Sequence, residues 1–151
     1  MKLEAFRRGL LKQAQRAVEA KAKDAQLAVG QHVYERMIQR TPVLTGHARH
    51  NWRPSVNEQV DTEQAGVFGG TETGEPITAA ERARWRDVRK AIGAMPLGQT
   101  IWISNNVPYA QRLEHGWSQK APSGMVEITL REVLEGIYSQ QPKVMGDDGS
   151  G

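Results

Sequence analysis

The side chains able to do chemistry in this 151-residue chain are few, and their spacing does not favour catalysis. His47 and His50 lie three apart, and His115 follows Glu114. A spacing of three can chelate a metal on a helix. The stretch from His47 to Val60 reads as extended, however, and odd offsets on a strand point to opposite faces, so no metal site is expected. Glu114, near the end of a short helix, reads as a structural or interface carboxylate rather than a general acid. Cysteine is absent, which excludes disulfides, thiolate metal ligation and a cysteine nucleophile. There is no GxSxG elbow, P-loop, HExxH or EF-hand loop. The glycines of GVFGGTETGEP (66–76) have neither GxGxxG spacing nor a following lysine, so a hairpin tip describes them better than a phosphate cradle. Neither a catalytic centre nor a cofactor is expected.

Binding chemistry is better represented. At about 100° per residue, Arg8, Lys12, Arg16 and Lys23 share one ridge of a helix, with Glu19 among them. Such a ridge can follow phosphates without reading base sequence; it can equally be a solvated flank, since no aromatic interleaving or known DNA-binding motif accompanies it. Among the four tryptophans, Trp52, Trp85 and Trp102 fall in regular elements and read as core. Trp117 sits in a loop with Lys120, where it either plugs the chain's own sheet or anchors a partner. Phe68 and Glu72 in the glycine-rich loop join Trp117 and Lys120 as candidate interface residues.

The elements that must position these groups follow from periodicity. Residues 1–40 contain no proline and are rich in good helix formers. Leu11, Ala14, Val18, Ala22, Ala25, Val29, Val33 and Met37 recur at steps of three or four, the mark of one apolar helical face. Thr41-Pro42 ends the helix, because a residue before proline avoids the α region. At about 1.5 Å per residue such a helix reaches roughly 55 Å, whereas a compact domain of this size is about 40 Å across. Either the helix breaks near Gly30 or one end projects and packs on another molecule.

The body, 41–140, then predicts an extended segment at 47–60, with Ala48, His50 and Trp52 on one face together with Val56 and Val60, and Pro54 marking an edge or a bulge. A capping box at Thr78 with Glu81 reaching back opens an amphipathic helix carrying Trp85, Val88 and Ile92. TIWISN (100–105) is a strand, a short helix with Pro108 in its first turn ends at Gly116, and Met125 to about Gln140 is a closing helix using Val126, Leu130, Val133, Leu134 and Ile137. The tail 141–151 is polar. The fold class is α+β, with a long N-terminal helix and further helices on a small, mostly antiparallel sheet.

Composition bounds the rest. Ile, Leu, Val and Phe make up about 20 % of the chain, the lower edge of what supports a core, so the core is lean. The net charge of +3 hides an asymmetry: residues 1–40 hold nine Lys/Arg against four Asp/Glu, and the remainder is slightly acidic. No apolar run is long enough to span a membrane. The opening MKLEAFRRGLLKQAQ puts charges where a secretory signal needs an apolar centre, so export is not expected.

Three segments together carry a resemblance. Thr41-Pro42-Val43-Leu44-Thr45-Gly46, followed by Arg49 and Trp52, resembles the T-P-V-D-T-G-x-L-R-x-S-W signature of tailed-phage neck and tail-completion proteins, the group of the lambda-like minor tail protein Z. Asn105-Asn106-Val107-Pro108-Tyr109-Ala110, with Glu114 and Gly116, is similar to that family's N-x-x-P-Y-A-x-x-x-E-x-G block, and Ala121-Pro122-Ser123-Gly124-Met125-Val126 to its third. The departures are Leu44 for Asp, Ala48 for Leu and Asn51 for Ser; losing the Asp removes any turn-capping by that side chain. The resemblance implies a non-enzymatic virion protein, made in the host cytoplasm, that assembles with itself as a ring, six-fold in expectation. The ring would sit at the head–tail junction between head-closure or portal-side and tail-tube proteins, around a channel passing double-stranded DNA. The competing reading is a stand-alone nucleic-acid-binding protein using the basic helix.

Overall fold

The computed structural model describes residues 2–43, 45–65, 72–110, 112 and 124–139, with the backbone alone for 137–139. The order is α1 (Lys2–Arg40), α2 (His47–His50), β1 (Trp52–Val56), α3 (Ala79–Ala94), β2 (Ile101–Asn105) and α4 (Met125–Ser139). This is an α+β fold with a long N-terminal helix and a small antiparallel sheet.

α1 runs through Gly30 without a break. Gly30 is there because the helix meets α3 closely: a Cβ at that position would lie 2.7 Å from Cη2 of Trp85. The Trp85 ring stacks on Tyr34 with centroids 5.8 Å apart and planes at 22°. Tyr34, Met37 and Ile38 complete the face of α1 that enters the core, and the Tyr34 hydroxyl donates to the carbonyl of Glu81 at 3.1 Å. Burial pushes the Tyr34 pKa up to about 12.

This face shares only its C-terminal residues, Val33 and Met37, with the stripe the periodicity picked out. Leu11 and Val18 of the expected stripe are each 66 % exposed. Every residue from Lys2 to Val18 is exposed, so the N-terminal part of α1 is an arm projecting from the body.

β1 and β2 pair antiparallel with Pro54 opposite Ile103, and each strand has one open edge, where a proline is tolerated. Trp52, Pro54 and Val56 share the face toward the helices by alternation. Trp102 lies on the other face and is 40 % exposed, its indole donating to the carbonyl of Asn57; it is not a core residue as the sequence had implied.

The expected extended run from His47 also differs. Gly46 takes a left-handed φ of 77° and its carbonyl accepts from His50 N, so His47–His50 form one helical turn before the strand starts. His50 and Trp52 therefore do not alternate on one sheet face.

α4 lies along α1. Thr129, fully buried, accepts from Arg40, and Glu132, one turn further on, is held by Arg40, Arg36 and His32. These partners span two turns of α1, so one carboxylate ties α4 to the C-terminal part of that helix. Leu130 and Leu134, expected to face the core, are 51 % and 60 % exposed, while Met125, Thr129 and, as expected, Val126 pack inward.

Candidate nucleic-acid interface and the motif junction

The first two blocks of the resemblance come together in space. Thr41, at the end of α1, donates its hydroxyl to Met37 O at 2.6 Å and accepts the Trp52 indole N–H at 2.6 Å. The helix end, whose carbonyls would otherwise lack partners, is thus tied to the first residue of β1. Asn105 donates its side-chain amide to Ala48 O at 2.8 Å and accepts from Val107 N through Oδ1. Asn106 donates to the carbonyls of Val60 and Thr62, and Asn51 exchanges hydrogen bonds with the backbone of Gln64. These side chains stand in for a third strand: they hold 60–64 against the sheet's outer side.

Arg49 is the centre of the junction. It is 2 % exposed and meets Glu81 through both Nε (3.1 Å) and Nη2 (3.3 Å), while donating to the carbonyls of Glu75 and Pro76. Four charge-assisted bonds compensate the desolvation of a buried ion. The capping box is consequently half-formed. Thr78 accepts from Glu81 N as expected, but the Glu81 carboxylate turns to Arg49 instead of reaching back to the cap.

Next to this lies Arg84, donating to His50 O, to His50 Nε2 at 2.8 Å and to Gln64. Because arginine only donates, that imidazole nitrogen is an acceptor. Burial first, then the Arg84 charge, holds the His50 pKa below its ordinary value. His47 pairs instead with Glu63. Among the described residues no three His, Asp or Glu converge as metal ligands.

The basic ridge has a specific orientation. Arg16 and Lys23 line a cleft of about 610 Å³ with Arg89 and Gly93 of α3. The ridge is therefore on the body side of α1, and Arg8 and Lys12 extend it along the exposed arm. On α3, Arg82, Arg86 and Arg89 recur at helical spacing and line the adjoining cavity of about 210 Å³. Glu19 and Asp24 also line the cleft, so the band is basic without being exclusively so. From Arg8 to Lys23 it spans about 22 Å, roughly the rise of six base pairs. Sequence reasoning found the α1 half and missed the α3 half. The signal was the i, i+4, i+7 spacing of three arginines beside the apolar face of α3.

The remaining predicted residues separate. Glu72 is exposed in the turn before α3, where neighbouring Thr73 accepts from Val43 N. Pro42 is half-buried, and exposed Thr45 accepts from His47 N. Pro108 is exposed in a turn with Tyr109, which packs on the core. Gly124 has φ 86° and its carbonyl accepts from Ile128 N in the first turn of α4. Leu44, Phe68, Glu114, Gly116, Trp117, Lys120 and Pro122 lie outside the described residues, as do most of the glycine-rich loop, the expected short helix beyond Arg112 and the tail.

No helix among the described residues is long and apolar enough to cross a membrane. No family model matches this chain, and neither a curated protein nor a solved structure matches it.

Proposed function

We propose that this chain is a structural subunit of a tailed bacteriophage that acts by assembly, without catalysis, as a ring at the head–tail junction around the DNA channel. The observation that carries this reading is the arm. Leu3, Phe6, Leu10, Leu11 and Val18 are each at least half exposed on a helix that continues into the core; no other described residue covers them, and apolar surface of this extent marks a contact with another molecule. The resemblance in the 41–52 and 105–110 blocks suggests the family, and those blocks form the junction that fixes the arm relative to the sheet. Light scattering across a concentration series, with pull-downs against portal, neck and tail components, tests the proposal. A monomer that binds none of them sinks it.

The α1–α3 band favours a second property, non-specific contact with DNA. Neutralising Arg16, Lys23 and Arg89 together is expected to lower the slope of log K against log salt by about three, if each meets one phosphate. Affinity that is unchanged by salt refutes a phosphate-tracking role.

A further inference from the structure

We infer that the smaller cavity between α1 and α3 seats a phosphate monoester group, with Arg82, Arg86 and Arg89 as its donors. The site is independent of the ring reading. It shares Arg89 with the DNA-facing band, and its test separates the two.

Helical spacing brings the donors together. Arg82, Arg86 and Arg89 stand at i, i+4 and i+7 on one side of α3, and all three line the same cavity of about 210 Å³ against Gln31 and Glu35 of α1. The buried Tyr34 and Trp85 also line it, so a floor of aromatic carbon lies beneath exposed arginine side chains.

The positive charge is open to a ligand. Glu35, the one carboxylate in the lining, accepts from the Gln31 amide at 2.9 Å and forms no ion pair with the three arginines. Arg89 donates to Gln31 Oε1 at 3.0 Å and Arg82 to Ile77 O at 2.9 Å, each through one nitrogen of its guanidinium. Arg86 makes no hydrogen bond or ion pair with any described residue. Since a guanidinium carries several N–H donors in a fixed fork, all three keep donors for an anion.

Charge and size select that anion. Three guanidiniums against one carboxylate give the lining a balance of +2, which a phosphate monoester matches with about −1.5 to −2 near pH 7 and three acceptor oxygens. A carboxylate or a phosphodiester brings a single negative charge and fewer free oxygens to share among three forks. The volume is below the roughly 300–1,000 Å³ of pockets that enclose a whole drug-sized ligand. It suits the phosphate and the first carbon of its ester, which meets the aromatic floor.

Methyl phosphate and dimethyl phosphate, compared at equal ionic strength by phosphorus NMR titration, are the probes. Methyl phosphate should bind at least tenfold more tightly than dimethyl phosphate, and Arg86→Gln should weaken that binding at least fivefold. Glu35→Gln, which keeps the acceptor for Gln31 and removes the repelling charge, should tighten it at least twofold. Arg8→Gln, about 40 Å from the cavity along α1, should leave methyl phosphate binding unchanged while lowering the salt slope for duplex DNA by about one. Arg8 and Arg86 are exposed and Glu35 half-buried, so the fold should survive, which circular dichroism checks. Equal binding of the two esters, or binding indifferent to both Arg86 and Glu35, overturns the site. Salt-dependent duplex binding without methyl phosphate binding overturns it and leaves the DNA-facing band standing; methyl phosphate binding without duplex binding does the reverse.

Discussion

Glu81→Ala is the perturbation with the largest expected effect. Its carboxylate is 95 % buried and is met twice by a guanidinium that is itself 98 % buried. Truncation leaves Arg49 with the carbonyls of Glu75 and Pro76 as acceptors but no counter-charge. Removing one partner of a buried pair costs about 3–5 kcal/mol, against a total stability of about 5–15 kcal/mol. At about 2–4 °C per kcal/mol for a chain of this size, the melting temperature should fall by roughly 6–20 °C. The internal control is Glu127→Ala, which removes an exposed pair with Arg131 on α4 and should cost about 0.5 kcal/mol or less. The double variant Arg49→Met/Glu81→Leu replaces the pair by apolar groups. It should lie closer to wild type than the sum of its single variants, with a coupling of about 1–3 kcal/mol. The assay is chemical denaturation followed by far-ultraviolet circular dichroism, with Tm as a second readout. If Glu81→Ala costs no more than Glu127→Ala, the junction is not held by this pair and the account of how the motif residues fix the body is wrong.

Two glycines in one helix should respond with opposite signs: Gly30→Ala overpacks against Trp85 and is expected to cost about 1–3 kcal/mol. Gly9→Ala, with nothing within 4 Å, should raise arm helicity by the roughly 1 kcal/mol propensity difference, read by circular dichroism and amide exchange. Thr41→Val leaves the buried Trp52 indole N–H without its acceptor and should cost about 1–3 kcal/mol in denaturant titrations, whereas Thr41→Ser keeps the oxygen and most of the stability. His50 has a folded pKa below its unfolded value, so the unfolded chain takes up the proton first. Its contribution should be flat above about pH 6.5 and stability should fall as pH drops below it; in His50→Gln, unfolding at pH 7.5 and pH 5.5 should show a smaller difference.

The element boundaries were legible because local chemistry sets them: Thr41-Pro42 stops α1, Thr78 caps α3, and β-branched and aromatic residues mark β2. Orientation was not legible, because periodicity says that a face is apolar and not what it meets. On α1 the core takes the side carrying Gly30, Tyr34 and Ile38 and shares only Val33 and Met37 with the Ala/Val stripe, since only a glycine lets the Trp85 ring approach the helix axis. The Glu81 side chain followed the same logic. A backbone N–H at a helix start can be solvated, but a guanidinium buried at Arg49 cannot, so the carboxylate goes where its absence would cost more. The His47–His50 turn was hidden because alternation of residue types mimicked a strand, while the left-handed Gly46 that bends the chain shows in the sequence only as a TG pair.

These displacements share a consequence. A chain with only about 20 % Ile, Leu, Val and Phe has little apolar surface to spare. It nevertheless leaves Leu3, Phe6, Leu10, Leu11, Val18, Leu130 and Leu134 in solvent, while tyrosine, tryptophan, threonine and a buried ion pair take up part of its interior beside Ile38, Val88 and Ile92. For a monomer that allocation is costly, since each of those side chains would contribute about 1.5–3 kcal/mol if buried. In the proposed assembly it becomes favourable, because a neighbouring molecule covers the arm. On the assembly proposed above, the lean core and the long α1 have one cause: the apolar surface left on the arm is buried by a neighbouring molecule.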